Sequence, residues 1–470
     1  MDKIKAITVL KTFSKKELGR FADFLNSPYF NKGKKYITRF YKELVRLHPE
    51  FDDSISFKRD VYKKLYPDEK YNDVRFRKLS SELYKLILNF LAEEVINADD
   101  TGKRENVLVQ LGNRKLDNLF ELELKNSYFE LEKTDLRNDQ YYRKMYELIS
   151  KEKFFYFQRK RSRSMDLYDT EMICITKYSV SMLLMKYIER TMEMRFFNAR
   201  KFDLPLFGEV ITFIRKNEML KDPVINILYL QLSLCLKDDD ESYFRLRKLL
   251  KKEEKKLDKN QIKIIYTILS NYAVERSEKG IQGFLEEVLS VNLEIIRKKL
   301  TEQYISGFLF VNIVTLFLKF RKINELKKFI KENSGLLNPE IKDAILNYCY
   351  SCLAFQDRDF DKALVYLSKI NFDHYQLKFQ IKNLSFKIYY EQNQYEAIFS
   401  LMDSYKHILK RETGIPESIK RTILSFLKIL KELADIRSGN KRTDKRILKK
   451  EFENSSPAEK QWLKEKIDEL

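Results

Sequence analysis

Only three histidines (His48, His374, His407) and four cysteines (Cys174, Cys235, Cys349, Cys352) occur in 470 residues. These few side chains bound the chemistry. A structural zinc site needs four ligands converging on a tetrahedron. Cys349 and Cys352 have the two-residue gap of a zinc site, but the apolar pattern around them is helical, and His374 belongs to the next helix. Cys174 and Cys235 are remote in sequence. The pair reads as two small buried residues of a helix hairpin, and no metal ligand is expected. No histidine stands with a serine, cysteine or aspartate in an arrangement that suggests a nucleophile or general base. GxxxxGK[ST], GxGxxG and HExxH are all missing from the sequence. No catalytic residue, no cofactor and no small-molecule substrate is therefore expected, and the chain reads as a non-enzyme. The acidic run Asp238 to Glu241 reads as a loop and helix start, where negative charge suits the helix dipole.

Charge offers more. The chain holds 90 Lys and Arg against 70 Asp and Glu, a net charge of +20. Such a surplus draws a protein to polyanions, although here it is spread along the chain. Three stretches concentrate it: Arg159 to Arg163, Arg245 to Lys263, and Arg437 to Lys450. Glu253, Glu254 and Asp258 dilute the second. The candidate polyanion contacts are Arg159, Lys160, Arg161, Arg163, Lys441, Arg442, Lys445, Arg446, Lys449 and Lys450. Cations neutralise phosphates and aromatic faces stack on bases. Phe154, Phe155 and Phe157 precede the first stretch, but their helical spacing reads as core.

The elements that position these residues are helical. Only 11 Gly and 8 Pro occur, far below the usual share of roughly 7% and 5%. Ser14-Lys15-Lys16-Glu17 is a capping box, and Ser27-Pro28 stops the helix it opens. Tyr36, Phe40, Leu44 and Leu47 form the next stripe. Leu116, Leu119, Leu122 and Phe129 mark an apolar face further on. From Leu204 the helices read as pairs. Near the end, Ser456-Pro457-Ala458-Glu459 looks like the capped start of a last helix, whose face Trp462, Leu463, Ile467 and Leu470 should dock. Four regions result: a helical domain over 1–100, long helices over 101–203, paired helices over 204–436, and a basic segment with a docking helix over 437–470. The opening residues carry lysines at 3, 5 and 11 that break any apolar leader, and no apolar run reaches membrane-spanning length. A cytoplasmic protein without membrane contact is expected.

Two stretches match at an offset of 34 residues: NYCYSCLAFQDRDFDKALVYLSKI from Asn347, and IKNLSFKIYYEQNQYEAIFSLMDS from Ile381. Tyr350-Ser351 aligns with Leu384-Ser385, and Ala363-Leu364 with Ala397-Ile398. A period of this length is the mark of stacked helix hairpins. The region resembles tetratricopeptide repeats, with the family's large-small step in the first helix and its alanine in the second. It departs from the family at Asn347 and lacks the closing proline. The resemblance implies an all-α chain: a degenerate α-solenoid of helix-turn-helix hairpins behind a helical N-terminal region. It also implies that the first helix of each hairpin faces a partner peptide, which places Tyr348, Phe355, Gln356, Lys382, Phe386 and Tyr389 at the contact. The phrase FSKKELGRFADFLNSPYFN, from Phe13, is similar to uncharacterised bacterial helical proteins. The expected function is a scaffold or adaptor for a protein partner, an acidic one on charge grounds. The alternative is a nucleic-acid-binding or nucleic-acid-associated regulator that uses the basic stretches.

Overall fold

A chain so poor in glycine and proline has few places to stop a helix, and its computed structural model is all-helical. The structure describes residues 4–46, 48, 55–98, 100–160, 165–196, 203–301, 303–370, 375–411, 417–439 and 445–470. Among them lie 24 α-helices and three 3-10 turns, and the β-structure there is a single parallel bridge between Ile305 and Leu337. Contacts divide the chain into two compact units, 1–182 and 183–470.

The first unit comprises α1 (Lys5–Leu10), α2 (Lys15–Asn26), α3 (Pro28–Asn31), α4 (Lys35–Val45), α5 (Ile55–Leu65), α6 (Asp73–Ala98), α7 (Asp100–Asn113), α8 (Asp117–Glu132), α9 (Asp139–Gln158) and the first half of α10 (Met165–Phe196). Ser14 caps α2: its Oγ accepts the Glu17 amide at 3.3 Å, and the Glu17 carboxylate accepts the Ser14 amide at 2.7 Å. One core gathers Phe21, Phe40, Tyr41, Leu83 and Phe90 from α2, α4 and α6. A second gathers Leu108, Phe120, Leu124, Leu148 and Phe155 from α7, α8 and α9.

That second core corrects the reading of α8. Leu116, Leu119, Leu122 and Phe129 are all exposed, Phe129 by 65%. The buried face is Phe120, Leu124, Ser127 and Leu131. Alpha-helical periodicity is satisfied by both stripes, and packing chooses between them: the Phe120 ring stacks on Phe155 with centroids 3.7 Å apart. The same choice corrects α9. Phe155 is core, while Phe154 and Phe157 face solvent at 60% and 78% exposure.

The second unit continues α10 and adds α11 (Phe207–Lys216), α12 (Pro223–Leu236), α13 (Asp240–Glu253), α14 (Lys259–Glu278), α15 (Phe284–Arg297), α16 (Gly307–Lys319), α17 (Ile323–Asn333), α18 (Pro339–Gln356), α19 (Phe360–Ser368), α20 (Tyr375–Glu391), α21 (Tyr395–Arg411), α22 (Glu417–Arg437), α23 (Lys445–Glu453) and α24 (Lys460–Asp468). Side-chain caps begin many of them: Asp222 on α12, Asp239 on α13, Asp258 on α14, Ser306 on α16, Asn338 on α18 and Asp359 on α19. Consecutive helices pack as pairs, α12 with α13 through α20 with α21, and α16 also packs on α18 and α18 on α20. At Gly307 the approach is close. A Cβ there would meet Ile345 Cδ1 at 3.0 Å and Ile341 Cδ1 at 3.2 Å, so any larger first residue would require these isoleucines to give by a few tenths of an ångström.

The acidic run Asp238 to Glu241 is an architectural clamp. Asp238 receives Arg195 at 2.6 Å and Arg276 at 2.8 Å, and Arg276 reaches Asp240 at 2.7 Å. These pairs tie the end of α10 and the end of α14 to the α12–α13 turn. The last core joins α20, α21 and α22 to α23 and α24, burying Trp462, Leu463 and Ile467. The expected cap of α24 is not formed. The helix starts at Lys460, and Glu459 stands before it in a left-handed conformation at φ 53°. Pro457 is buried, the Ala458 amide donates to the Thr422 carbonyl at 3.0 Å, and the Glu459 carboxylate pairs with Lys387. Tertiary bonds thus claim the groups that a local capping box would use.

Candidate partner-binding groove

The hairpins α16–α17, α18–α19 and α20–α21 share one turn. Each first helix ends in a left-handed residue: Arg321 at φ 56°, Arg358 at 57° and Asn393 at 57°. Each turn is closed by a backbone bond spanning five residues: Lys322 N to Phe317 O at 2.9 Å, Asp359 N to Ala354 O at 2.9 Å, and Gln394 N to Tyr389 O at 2.8 Å. This bond satisfies a helix-end carbonyl that would otherwise lack a partner. The turns are 37 residues apart (358 − 321) and then 35 (393 − 358).

Counted from these turns, the hairpins superpose in burial. Val314, Ser351 and Phe386 are equivalent and each is fully buried; so are Leu326, Ala363 and Ile398. Ala397 is therefore not the counterpart of Ala363. The 34-residue match is one residue out of step, and a slip of one residue turns a helix by about 100°.

The six expected contact residues divide between groove and core. A cavity of about 540 Å³ opens against α16, α18, α20 and α24, and Tyr348, Phe355 and Gln356 line it. Lys382, Phe386 and Tyr389 do not line it. Phe386 is fully buried in the core, Tyr389 packs against that core, and Lys382 donates to the Ser404 hydroxyl at 3.2 Å. The α20 residues that do line the cavity are Gln380, Leu384, Lys387 and Glu391. The wall has rows of equivalent positions: Thr315, Cys352 and Lys387; then Lys319, Gln356 and Glu391; with Arg321 and Arg358 at the turns. The sequence signal that could have found this wall was the aromatic residue after the last two turns, Phe360 and Tyr395, which are 35 apart.

Helix α24 forms the opposite wall. Trp462 donates its indole N–H to Glu391 at 3.1 Å, and its ring meets Tyr390 edge-on at 5.3 Å. Lys466 pairs with Glu391 at 2.7 Å and Glu469 at 2.9 Å. Burial pulls the Lys466 ammonium pKa down, but these carboxylates outweigh it and the net shift is upward. Lys387 pairs with Glu459 at 2.7 Å. Cys352 lies in the floor, its thiol pushed up to about 11 chiefly by burial, and burial pushes Cys349 up as well. Four cations of the lining have no carboxylate partner among the described residues: Lys319, Arg321, Arg358 and Lys460.

The basic stretches separate. Arg159 is held inside the first unit: its guanidinium bonds Asp117 at 2.7 Å and the Gly112 carbonyl at 3.2 Å, and stacks 3.7 Å over the Phe155 ring. Its charge stabilises the fold. Lys160 is exposed. Arg161, Arg163, Lys441 and Arg442 lie outside the described residues. Lys445 donates to the Asp468 carbonyl at 3.2 Å, and Arg446 and Lys450 are exposed on α23. Lys449 lines a second cavity of about 460 Å³ together with Lys319, Lys460 and Lys464. Lys319, Lys460 and Gln461 belong to both cavities.

Among the described residues no three His, Cys, Asp or Glu side chains converge as a metal site requires, and no helix is long and apolar enough to cross a membrane. Comparison with protein-family profiles, curated proteins and solved structures finds no match to this chain.

Proposed function

We propose that the chain is a non-enzymatic scaffold that holds an acidic segment of a protein partner in the groove between α16, α18, α20 and α24. In this reading the paired helices stack as a degenerate, tetratricopeptide-like α-solenoid, and the first helix of each hairpin faces the partner. The observation that carries it is the repetition of the lining. Equivalent positions of three hairpins, set by the same turn, meet along one cavity. Its apolar lining of Tyr348, Phe355, Phe360 and Trp462 suits apolar side chains of a peptide, and Lys319, Arg321, Arg358 and Lys460 suit its carboxylates. The free thiols of all four cysteines suit a reducing, cytoplasmic setting.

The test is a fluorescein-labelled ten-residue peptide alternating Glu with Phe or Leu, titrated against the full chain by anisotropy. A matching peptide with Lys for Glu is the control. The acidic peptide should bind and the basic one should not. Arg321→Glu with Arg358→Glu should weaken binding by about a hundredfold, taking each charge-assisted hydrogen bond at roughly 1.5 kcal/mol. Equal binding of both peptides, or no effect of the double reversal, would end this reading.

A further inference from the structure

The first unit carries a cavity of about 360 Å³ of a different character, where the end of α2, the one-turn α3 and the start of α4 meet. Lys35, Arg39 and Lys42 project from α4 along one face at spacings of four and three, and all three line the cavity. Each is exposed, and none has a carboxylate partner among the described residues. No aspartate or glutamate is part of the lining.

The local structure gains nothing from this crowding. Cations repel the positive end of a helix, yet α4 begins with Lys34, which Glu82 pairs at 3.2 Å, and with Lys35, which no carboxylate pairs among the described residues, and it has no acidic residue in its first turn. Nor does a side chain cap it, so its leading amides have no local acceptor of that kind. Two further groups wait without partners. Asn31 is 4% exposed and lines the cavity; its Nδ2 donates to Leu25 O at 2.9 Å and to Thr38 Oγ1 at 3.1 Å, but its Oδ1 accepts no hydrogen bond. A buried carbonyl oxygen left so is costly. The Ser27 side chain, in the same lining, does not cap α3. Tyr29 stands on α3 between lining residues Pro28 and Asn31, with 85% of its surface exposed and its ring held edge-on against Phe30 at 5.1 Å.

We propose that this cavity binds single-stranded nucleic acid. Successive phosphodiesters lie along Lys35, Arg39 and Lys42, a span of about 10 Å at 1.5 Å rise per residue. A base stacks on Tyr29. An acidic peptide would satisfy the cations, but it has no use for a flat exposed ring on the adjoining turn. The site is separate from the groove of the second unit and does not depend on that reading.

The test uses the full chain and a fluorescein-labelled twelve-residue oligouridylate, with anisotropy measured at 50 and 200 mM salt. Three phosphate contacts on a single strand give a log–log salt slope of about −2.1, so affinity should fall about 20-fold across that range. Arg39→Gln should reduce the slope by about 0.7. Tyr29→Ala should weaken binding roughly tenfold at both salts and leave the slope unchanged, because stacking releases no counterions. Arg39→Glu with Lys42→Glu should abolish binding, and Arg321→Glu with Arg358→Glu should leave it intact. The proposal is overturned if no binding occurs at 50 mM salt. It is overturned equally if the α4 reversals change nothing, or if polyglutamate of equal charge binds as tightly and independently of Tyr29.

Discussion

The groove of the second unit and the cavity of the first are both bounded by helix ends and both carry lysine and arginine, yet they use that charge differently. In the groove the charge is split: Lys387 and Lys466 pair with Glu459 and Glu391 and fasten α24 to α20, while Lys319, Arg321, Arg358 and Lys460 have no carboxylate partner among the described residues. In the first unit, Lys35, Arg39 and Lys42 have no such partners, and no carboxylate lines their cavity. A cation paired at low exposure belongs to the architecture, whereas a cluster left unpaired in a concavity is available to a ligand. Net charge of +20 does not distinguish the two.

Substitutions can break this contrast. The largest effect should come from Trp462→Ala, which empties the junction of α24 with α20 and should cost the second unit about 3 kcal/mol, the usual range for a buried aromatic. Urea unfolding followed by circular dichroism measures it, and hydrogen exchange should show the α24 amides losing protection first. A loss under about 1 kcal/mol would mean that α24 is not a fixed wall. Next, Ala363→Leu should overpack the fully buried meeting point of α18 and α19 and cost about 1–3 kcal/mol. Ala397→Leu, one residue off the equivalent site and only partly buried, should cost clearly less. Equal penalties would restore the 34-residue register.

Asp239 supplies a pH test. Burial raises its pKa, but hydrogen bonds from the Ser233 hydroxyl at 2.7 Å and from the Ser242 amide and hydroxyl at 3.0 and 2.8 Å outweigh burial and hold it at about 2. An unfolded aspartate titrates near about 3.9, so the folded value is the lower one. Its contribution is complete above about pH 4 and drains away as pH falls toward 2. Asp239→Ala should cost about 1–2 kcal/mol at pH 7, the usual worth of a helix cap, and the gap from wild type should narrow by pH 2. A gap that does not change with pH would mean the carboxylate is not the capping species. The smallest effect sharpens the contrast most: Lys35→Ala should leave stability within about 0.5 kcal/mol, while Lys387→Ala, which orphans Glu459, should cost more. If Lys35→Ala destabilises as much, its charge is structural after all.

Several features were legible in the order of residues. The capping box at Ser14 and Glu17 needs only neighbours three apart. The docking face Trp462, Leu463 and Ile467 needs only helical spacing. Other features were hidden for definite reasons. In α8 two stripes at helical spacing run along one helix, and the buried one, marked by the stack of Phe120 on Phe155, is interrupted by Ser127, so hydrophobicity alone favoured the exposed one. In the hairpins, matching alanines drew the alignment one residue away from the turn that sets the true period, which put Phe386 in place of the groove residue Lys387, while Lys382 and Tyr389 miss the groove in either register because packing turns that face of α20 inward.

By itself the sequence determined the helices, through scarce breakers, caps and apolar spacing, because those are interactions among residues a few positions apart. Only the tertiary structure decided which face of each helix is buried and which cations are already paired. It also decided that Thr315, Cys352 and Lys387 meet along one wall. Those outcomes depend on contacts between residues tens of positions apart. A helical pattern carries its period, but the choice of its partner is made by packing.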